Sequence, residues 1–124
     1  MSTRSAQIEA GLWRWTGPLR FDLRSESGQS GGRCEFVVHL DTVEVYEFKL
    51  LEVCRLDMIN THTRRLAGTI SRDELRRWIR HRRDVLEFND VILGVRVDHV
   101  VVRLNCSDPY PVPAVVVDQL VGQL

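Results

Sequence analysis

The sequence predicts an α+β fold, in which an antiparallel, meander-like sheet carries one capped helix at about 71–82 and a C-terminal helix at about 113–123 packed on it. Three observations predict this class. Short alternating apolar and polar runs follow one another closely, a capping box begins at Ser71, and an apolar helical stripe follows Pro113. At 124 residues the chain has the usual length of one domain, so we expect residues 1–124 to share one core.

The first third of the chain is predicted to contain strands and one loop. Leu12 to Thr16 and Leu19 to Arg24 alternate with a period of two, which predicts two half-buried strands. Ser25 to Gly32 contains no apolar residue and three glycines, so we expect a loop there. Arg33 to Leu40 is rich in β-branched and aromatic residues, which predicts a further strand.

The stretch from Val43 to Ile59 lacks glycine and proline, but its periodicity favours strands over a helix. Its apolar residues scatter around a helix, whereas Tyr46, Phe48 and Leu50 share one face of a strand. We expect two strands, or one bent strand with a bulge near 51–53, and a short strand over Arg65 to Ile70. The acidic residues between the apolar positions are expected to line the wet face of the sheet; they are Glu35, Asp41, Glu44, Glu47, Glu52 and Asp57.

Both helices have start signals. Ser71 as N-cap and Glu74 at N3 form a capping box, and Leu75, Trp78 and Ile79 follow at helical spacing. Arg82 would interrupt this stripe, so the first helix should end near 81–83. Pro113 suits the first turn of the second helix.

Two structures are consistent with the sequence from Val91 to Asn105. Two alternating runs flank Asp98 and His99, which predicts either a hairpin with its turn there or one continuous strand. Three prolines in Asp108 to Pro113 exclude a central strand from that segment.

Charge is unevenly distributed along a chain of formal net charge zero. The segment from Arg64 to Arg83 has eight arginines against Asp73 and Glu74, a net charge of +6, so the remaining residues sum to −6. This asymmetry indicates one basic face, which meets either an acidic partner or the rest of the same protein.

Arginines recur on one side of the predicted first helix. Four of them lie within about 80° of one another, and three more are near in sequence. The candidate nucleic-acid-binding or partner-binding residues are Arg64, Arg65, Arg72, Arg76, Arg77, Arg80 and Arg83. The alternative is a solvated face of ordinary ion pairs. A pI near 6.9 disfavours nucleic acid. Trp13 and Trp15 form a second candidate surface for a partner, with core packing as the alternative.

No catalytic, metal or cofactor signature is present in the sequence. The cysteines lack C-x-x-C spacing, and no glycine-rich phosphate motif occurs. We therefore expect no metal and no cofactor. A small enzyme remains an alternative, in which Cys106 would pair with His99 or His39.

These observations favour a small non-enzymatic interaction or regulatory module. Its partner would be an acidic protein of unknown identity or a second copy of the chain, as in a homodimer. Nucleic-acid binding through the arginine-rich helix is the first alternative. No apolar run approaches the roughly 20 residues that cross a bilayer, and no secretory signal precedes the strands, so we expect a cytoplasmic protein with no membrane partner.

Overall fold

The computed structural model describes residues 17–25, 28, 30–50, 62–105 and 107–124. Its strands form two antiparallel four-stranded sheets, each in chain order. Sheet A consists of β1 (Leu19–Arg24), β2 (Ser30–Val38), β3 (Thr42–Leu50) and β4 (His62–Ser71). Sheet B consists of β5 (Leu86–Phe88), β6 (Val91–Arg96), β7 (His99–Leu104) and β8 (Tyr110–Pro111). Helix α1 (Arg72–His81) joins the sheets, and α2 (Ala114–Gln123) follows β8.

The α+β class, the antiparallel meander and both helices are confirmed, but the strands divide into two sheets rather than one. The ten residues of α1 separate β4 from β5, so the chain leaves the β4 edge before the next strand begins. A backbone hydrogen bond of 3.0 Å from Asp90 N–H to the Ala67 carbonyl is a local link between the two sheets.

One hydrophobic core includes residues from both sheets and both helices. In β1 the predicted alternation is confirmed, because Leu19, Phe21 and Leu23 are buried and the residues between them are exposed. The ring centroids of Phe21 and Phe36 lie 5.7 Å apart. The helices add their apolar stripes to this core, namely Leu75 and Ile79 from α1 and Val116, Val117 and Leu120 from α2.

The ends of α1 follow the sequence signals. Ser71 Oγ accepts a hydrogen bond of 3.5 Å from the Glu74 amide, as an N-cap does. Arg82 adopts a left-handed conformation, with φ of 46°, and its amide donates to the Trp78 carbonyl at 2.7 Å. The helix therefore ends at the position where Arg82 would have entered the apolar stripe.

Residues 91–105 form a hairpin rather than one strand. Arg96 pairs with His99, so the loop consists of Val97 and Asp98, one residue earlier than predicted. Val97 is fully exposed and has a φ of 49°, a conformation that is costly for a β-branched residue.

Two sequence expectations for the first sheet were wrong. The predicted loop ends early, because β2 begins at Ser30. The acidic residues do not all line a wet face, since Glu35 is 1% exposed and Glu47 is 4% exposed. Glu47 shares the inner face of β3 with buried valines, and Glu35 lies under arginine side chains on the opposite face of the sheet. The predicted strand at 12–16 and the bulge near 51–53 lie outside the described residues.

Candidate functional site: the arginines and the groove between the helices

The structure separates the candidate arginines into three groups with different contacts. Arg64 and Arg65 are neighbours in β4 and therefore project to opposite faces of sheet A. Arg64 binds Glu35 with an N···O distance of 3.1 Å. Arg65 binds Asp90 at 2.7 Å and Glu47 at 3.5 Å, and its hydrogen bond to Asp90 raises the pKa of its guanidinium. Both side chains already have carboxylate partners within the protein.

Arg72 and Arg76 form the second group, which holds the C-terminal end of α2. Arg72 Nη2 donates to the Gln123 carbonyl at 2.7 Å, and Arg76 Nε donates to the Leu124 carbonyl at 3.0 Å. The last carbonyls of a helix lack partners within the helix and lie at the negative end of its dipole. Two cations at this position satisfy those oxygens and fix α2 against α1. Their role is therefore structural.

The third group is exposed and unpaired. Within the described part of the chain, Arg77, Arg80 and Arg83 make no ion pair or hydrogen bond through their side chains, and all three are exposed. Arg82 is also exposed, and its Nε donates to the Ile79 carbonyl at 3.0 Å. The C-terminal half of α1 and the residues just after it therefore present guanidinium groups without acidic partners.

A groove of about 390 Å³ lies beside these arginines, between α1 and the end of α2. We call it the α1–α2 groove. It is lined by Arg76, Ile79, Arg80, Arg82, Val121 and Leu124. On α1 the spacing of 76, 79 and 80 places these residues on one side of the helix, where the apolar stripe meets the cationic side. Val121 of α2 is 47% exposed and contributes to the apolar floor. The groove thus combines an apolar floor with a cationic rim.

The chemistry of this rim suits anion recognition. Guanidinium groups carry a permanent charge and planar donors that match carboxylate geometry. No described residue forms an ion pair or side-chain hydrogen bond with Arg80, so with respect to these residues it can bind an incoming carboxylate without first breaking an internal bond. An apolar floor beside it favours a ligand that carries aliphatic groups next to its carboxylates.

A second cluster, on the outer face of sheet A, was not predicted from the sequence. Strand pairing places Arg20, Glu35, Tyr46 and Leu66 in one row across the sheet. Arg20 forms an ion pair with Glu35, and the Arg64 guanidinium lies over the Tyr46 ring at 3.6 Å from its centroid. The register of four strands creates this cluster. The alternating charges of β1 and β2 were the only signal for it in the sequence.

One end of this outer face contains a hydrogen-bonded carboxylate. Glu44 accepts a hydrogen bond of 2.9 Å from the Tyr46 hydroxyl and is bound by the His39 ring. These bonds lower the pKa of Glu44, with the bond from Tyr46 as the larger cause, and the same bond raises the pKa of Tyr46.

The histidines considered for catalysis lie on different sheets. His39 precedes β3, whereas His99 begins β7 and lines a cavity of about 70 Å³ with Asp98 and Asp118. Burial raises the pKa of the Cys34 thiol far above its usual range, which makes this cysteine unreactive. Among the described residues no group of histidine, cysteine and acidic side chains could hold a metal ion. Cys106, Trp13 and Trp15 lie outside the described residues.

Comparison of the chain with protein-family models, curated proteins and solved structures gives no match. Among the described residues no helix is both long and apolar enough to cross a membrane. The function of the chain is therefore inferred from the geometry of its own side chains.

Proposed function

We propose that this protein is a non-enzymatic interaction module that binds an acidic segment of a partner protein in the α1–α2 groove. One observation carries the proposal. Most arginines of the described chain bind a carboxylate or a carbonyl oxygen of the protein, whereas Arg80 stands unpaired at the rim of an apolar groove.

The electrostatic argument follows from the distribution of partners. The basic segment from Arg64 to Arg83 contains only two acidic residues, and one of these, Asp73, binds Arg76 at 2.8 Å. One unpaired guanidinium in water costs the fold little free energy, but several guanidinium groups close together repel one another. An acidic partner relieves that repulsion, and the apolar floor contributes hydrophobic contact. Both effects favour binding at the same place.

Nucleic acid is the competing occupant, because exposed arginines at this end of α1 could also contact phosphates. Trp78 is the aromatic residue of α1, and its half-buried side chain packs against the hydrophobic core. Its ring is therefore only partly available to stack on a base, and stacking usually accompanies phosphate contacts in single-strand recognition. This observation favours a protein partner.

Fluorescence anisotropy tests the proposal with two labelled probes, a short peptide of alternating glutamate and leucine and a single-stranded DNA. The variant is Arg80→Glu. The matched control is Arg103→Glu, which makes the same charge change at an exposed position of β7. We expect the peptide to bind the wild type and the control alike. Arg80→Glu should weaken it about tenfold or more, since one charge-assisted hydrogen bond corresponds to roughly 1.5–3 kcal/mol.

Each other outcome counts against the proposal. DNA binding with no peptide binding would favour the nucleic-acid alternative, particularly if the affinity falls steeply with salt as phosphate contacts require. Equal weakening by both substitutions would show that net charge rather than the groove attracts the peptide. Absence of binding to either probe at low salt would contradict both the acidic-partner and the nucleic-acid hypotheses.

A further inference from the structure

The apolar stripe of α2 continues beyond the hydrophobic core into the α1–α2 groove. Val116, Val117 and Leu120 of this stripe are buried in the core. Val121 is 47% exposed and lines the groove together with Leu124. Apolar surface in contact with water favours burial against another group. The floor of the groove is therefore suited to an apolar occupant as well as to an acidic partner.

The chain enters the described fold beside this floor. Gln123 Nε2 donates a hydrogen bond of 3.0 Å to the Gly17 carbonyl, and β1 begins two residues later and contacts α2. Val121, Gln123 and Leu124 lie within about one helical turn at the end of α2. Gly17 therefore lies next to the side of the groove that α2 provides.

The covalent geometry of the chain brings two tryptophans to the same place. Consecutive Cα atoms are about 3.8 Å apart, so the Cα atom of Trp15 lies at most about 7.6 Å from that of Gly17, and the Cα atom of Trp13 at most about 15 Å. A side chain tethered so closely has an effective concentration at the groove on the order of millimolar. An attraction that would be weak between separate molecules is therefore sufficient to fill the groove.

Indole rings match the chemistry of the groove. Their apolar faces suit its floor, and guanidinium groups such as those at its rim bind best over the face of a tryptophan. Its volume of about 390 Å³ lies in the range that accepts drug-sized groups, so it can hold an indole. In an extended segment Trp13 and Trp15 share one side, and Arg14 lies on the other. Both rings can thus face the groove while the charge of Arg14 points away from the cationic rim.

We propose that Trp13 and Trp15 occupy the α1–α2 groove of their own chain, and that an acidic partner binds by displacing them. The displacement rests on the function proposed above, whereas the occupancy does not. A partner binds only those molecules whose groove is open, so its apparent dissociation constant is the intrinsic value divided by the open fraction. Tryptophans that fill the groove in about nine molecules of ten weaken the partner about tenfold. The segment thus sets the partner concentration at which the module responds.

Nuclear Overhauser effects in the wild-type chain test the occupancy without any ligand. The protein is labelled with ¹³C at the methyl groups of isoleucine, leucine and valine. We expect cross-peaks between the indole protons of Trp15 and the methyl groups of Ile79, Val121 and Leu124. Trp15→Phe identifies these cross-peaks, because they disappear in that variant.

Two results of this experiment would overturn the occupancy. The first is that Trp15 gives cross-peaks only to methyl groups outside the groove, or gives none. The second is that, in a mixture of labelled and unlabelled protein, the cross-peaks arise between different molecules. That result would place the tryptophans of a second copy in the groove.

Binding of the peptide of alternating glutamate and leucine tests the displacement. We expect Trp13→Ser/Trp15→Ser to bind it about threefold or more tightly than the wild type, because the groove of this variant is open in every molecule. The matched control, Trp13→Phe/Trp15→Phe, keeps an aromatic ring at both positions and should bind within about twofold of the wild type. Equal affinities of the wild type and a folded serine variant would refute the displacement.

The two proposals can fail separately. Cross-peaks from Trp15 to the groove without peptide binding to any variant would contradict the proposed function and leave the occupancy standing. Peptide binding that is weakened by Arg80→Glu, in a protein without those cross-peaks, would contradict the occupancy alone. Because the cross-peaks are measured in the wild type, misfolding of the serine variant does not affect that test.

Discussion

Arg72 and Arg80 lie two turns apart on α1, yet we expect a large loss of stability when Arg72 is replaced by methionine and almost none when Arg80 is. Methionine keeps an apolar stem and removes the guanidinium. Arg72 loses its bond of 2.7 Å to the Gln123 carbonyl and a longer one of 3.3 Å to the His39 carbonyl. Arg80 loses no hydrogen bond or ion pair with a described residue. The comparison therefore separates a structural arginine from one that is free to bind a partner.

The expected loss in the free energy of unfolding follows from the contacts of Arg72. A hydrogen bond from a charged donor contributes about 1.5–3 kcal/mol, and a cation at a helix C-terminus adds about 0.3–1 kcal/mol. The carbonyls released by the substitution are only part-buried, so water replaces some of this stabilisation. We expect Arg72→Met to lose about 2–3 kcal/mol, which lowers the Tm by about 10 °C for a chain of this length.

Urea denaturation followed by far-ultraviolet circular dichroism measures the difference. Arg80→Met should stay within about 0.5 kcal/mol of the wild type, as surface substitutions usually do. Equal free energies of unfolding for Arg72→Met and Arg80→Met would refute the division of the arginines into structural and free groups.

Three further predictions concern other parts of the fold. Val97→Asn should raise the free energy of unfolding by about 1 kcal/mol, because asparagine tolerates the left-handed conformation of the hairpin loop better than valine does; an unchanged or lower value in urea would contradict this. The pKa of Glu44 is lowered in the folded protein, so its carboxylate stabilises the fold at pH values above its unfolded pKa. That stabilisation disappears as the pH falls through the folded pKa. Glu44→Gln should therefore flatten the decline in the free energy of unfolding between roughly pH 5 and pH 3 in acid titrations. Cys34, in a chain whose other two cysteines are serine, should react with Ellman's reagent only after unfolding, and rapid reaction of the native protein would contradict its burial.

The sequence correctly predicted those elements whose bounds are set by residues close together in the chain. The capping box at Ser71 predicted where α1 begins, and the position of Arg82 predicted where it ends. Period-two alternation placed β1 with its exact bounds of Leu19–Arg24. These features depend on residues a few positions apart, which a single sequence displays directly.

The sequence alone did not predict features that depend on strand register. Glu35 is buried because Arg20 of β1 and Arg64 of β4 bind it from the neighbouring strands. Likewise, Arg72 and Arg80 lie on the same cationic side of the helical wheel, but only Arg72 binds the last carbonyls of α2. The helical wheel therefore identified the cationic side of α1, whereas only the tertiary structure showed which of its arginines are already bound.

The location of an acidic ligand can be observed directly by nuclear magnetic resonance. The measurement is a titration of the ¹⁵N-labelled wild type with the peptide of alternating glutamate and leucine. Binding in the α1–α2 groove predicts that the largest amide shifts cluster at Ile79, Arg80 and Val121. Shifts concentrated on sheet A, shifts spread evenly over the surface, or no shifts at low salt would contradict the central claim that this groove receives an acidic partner.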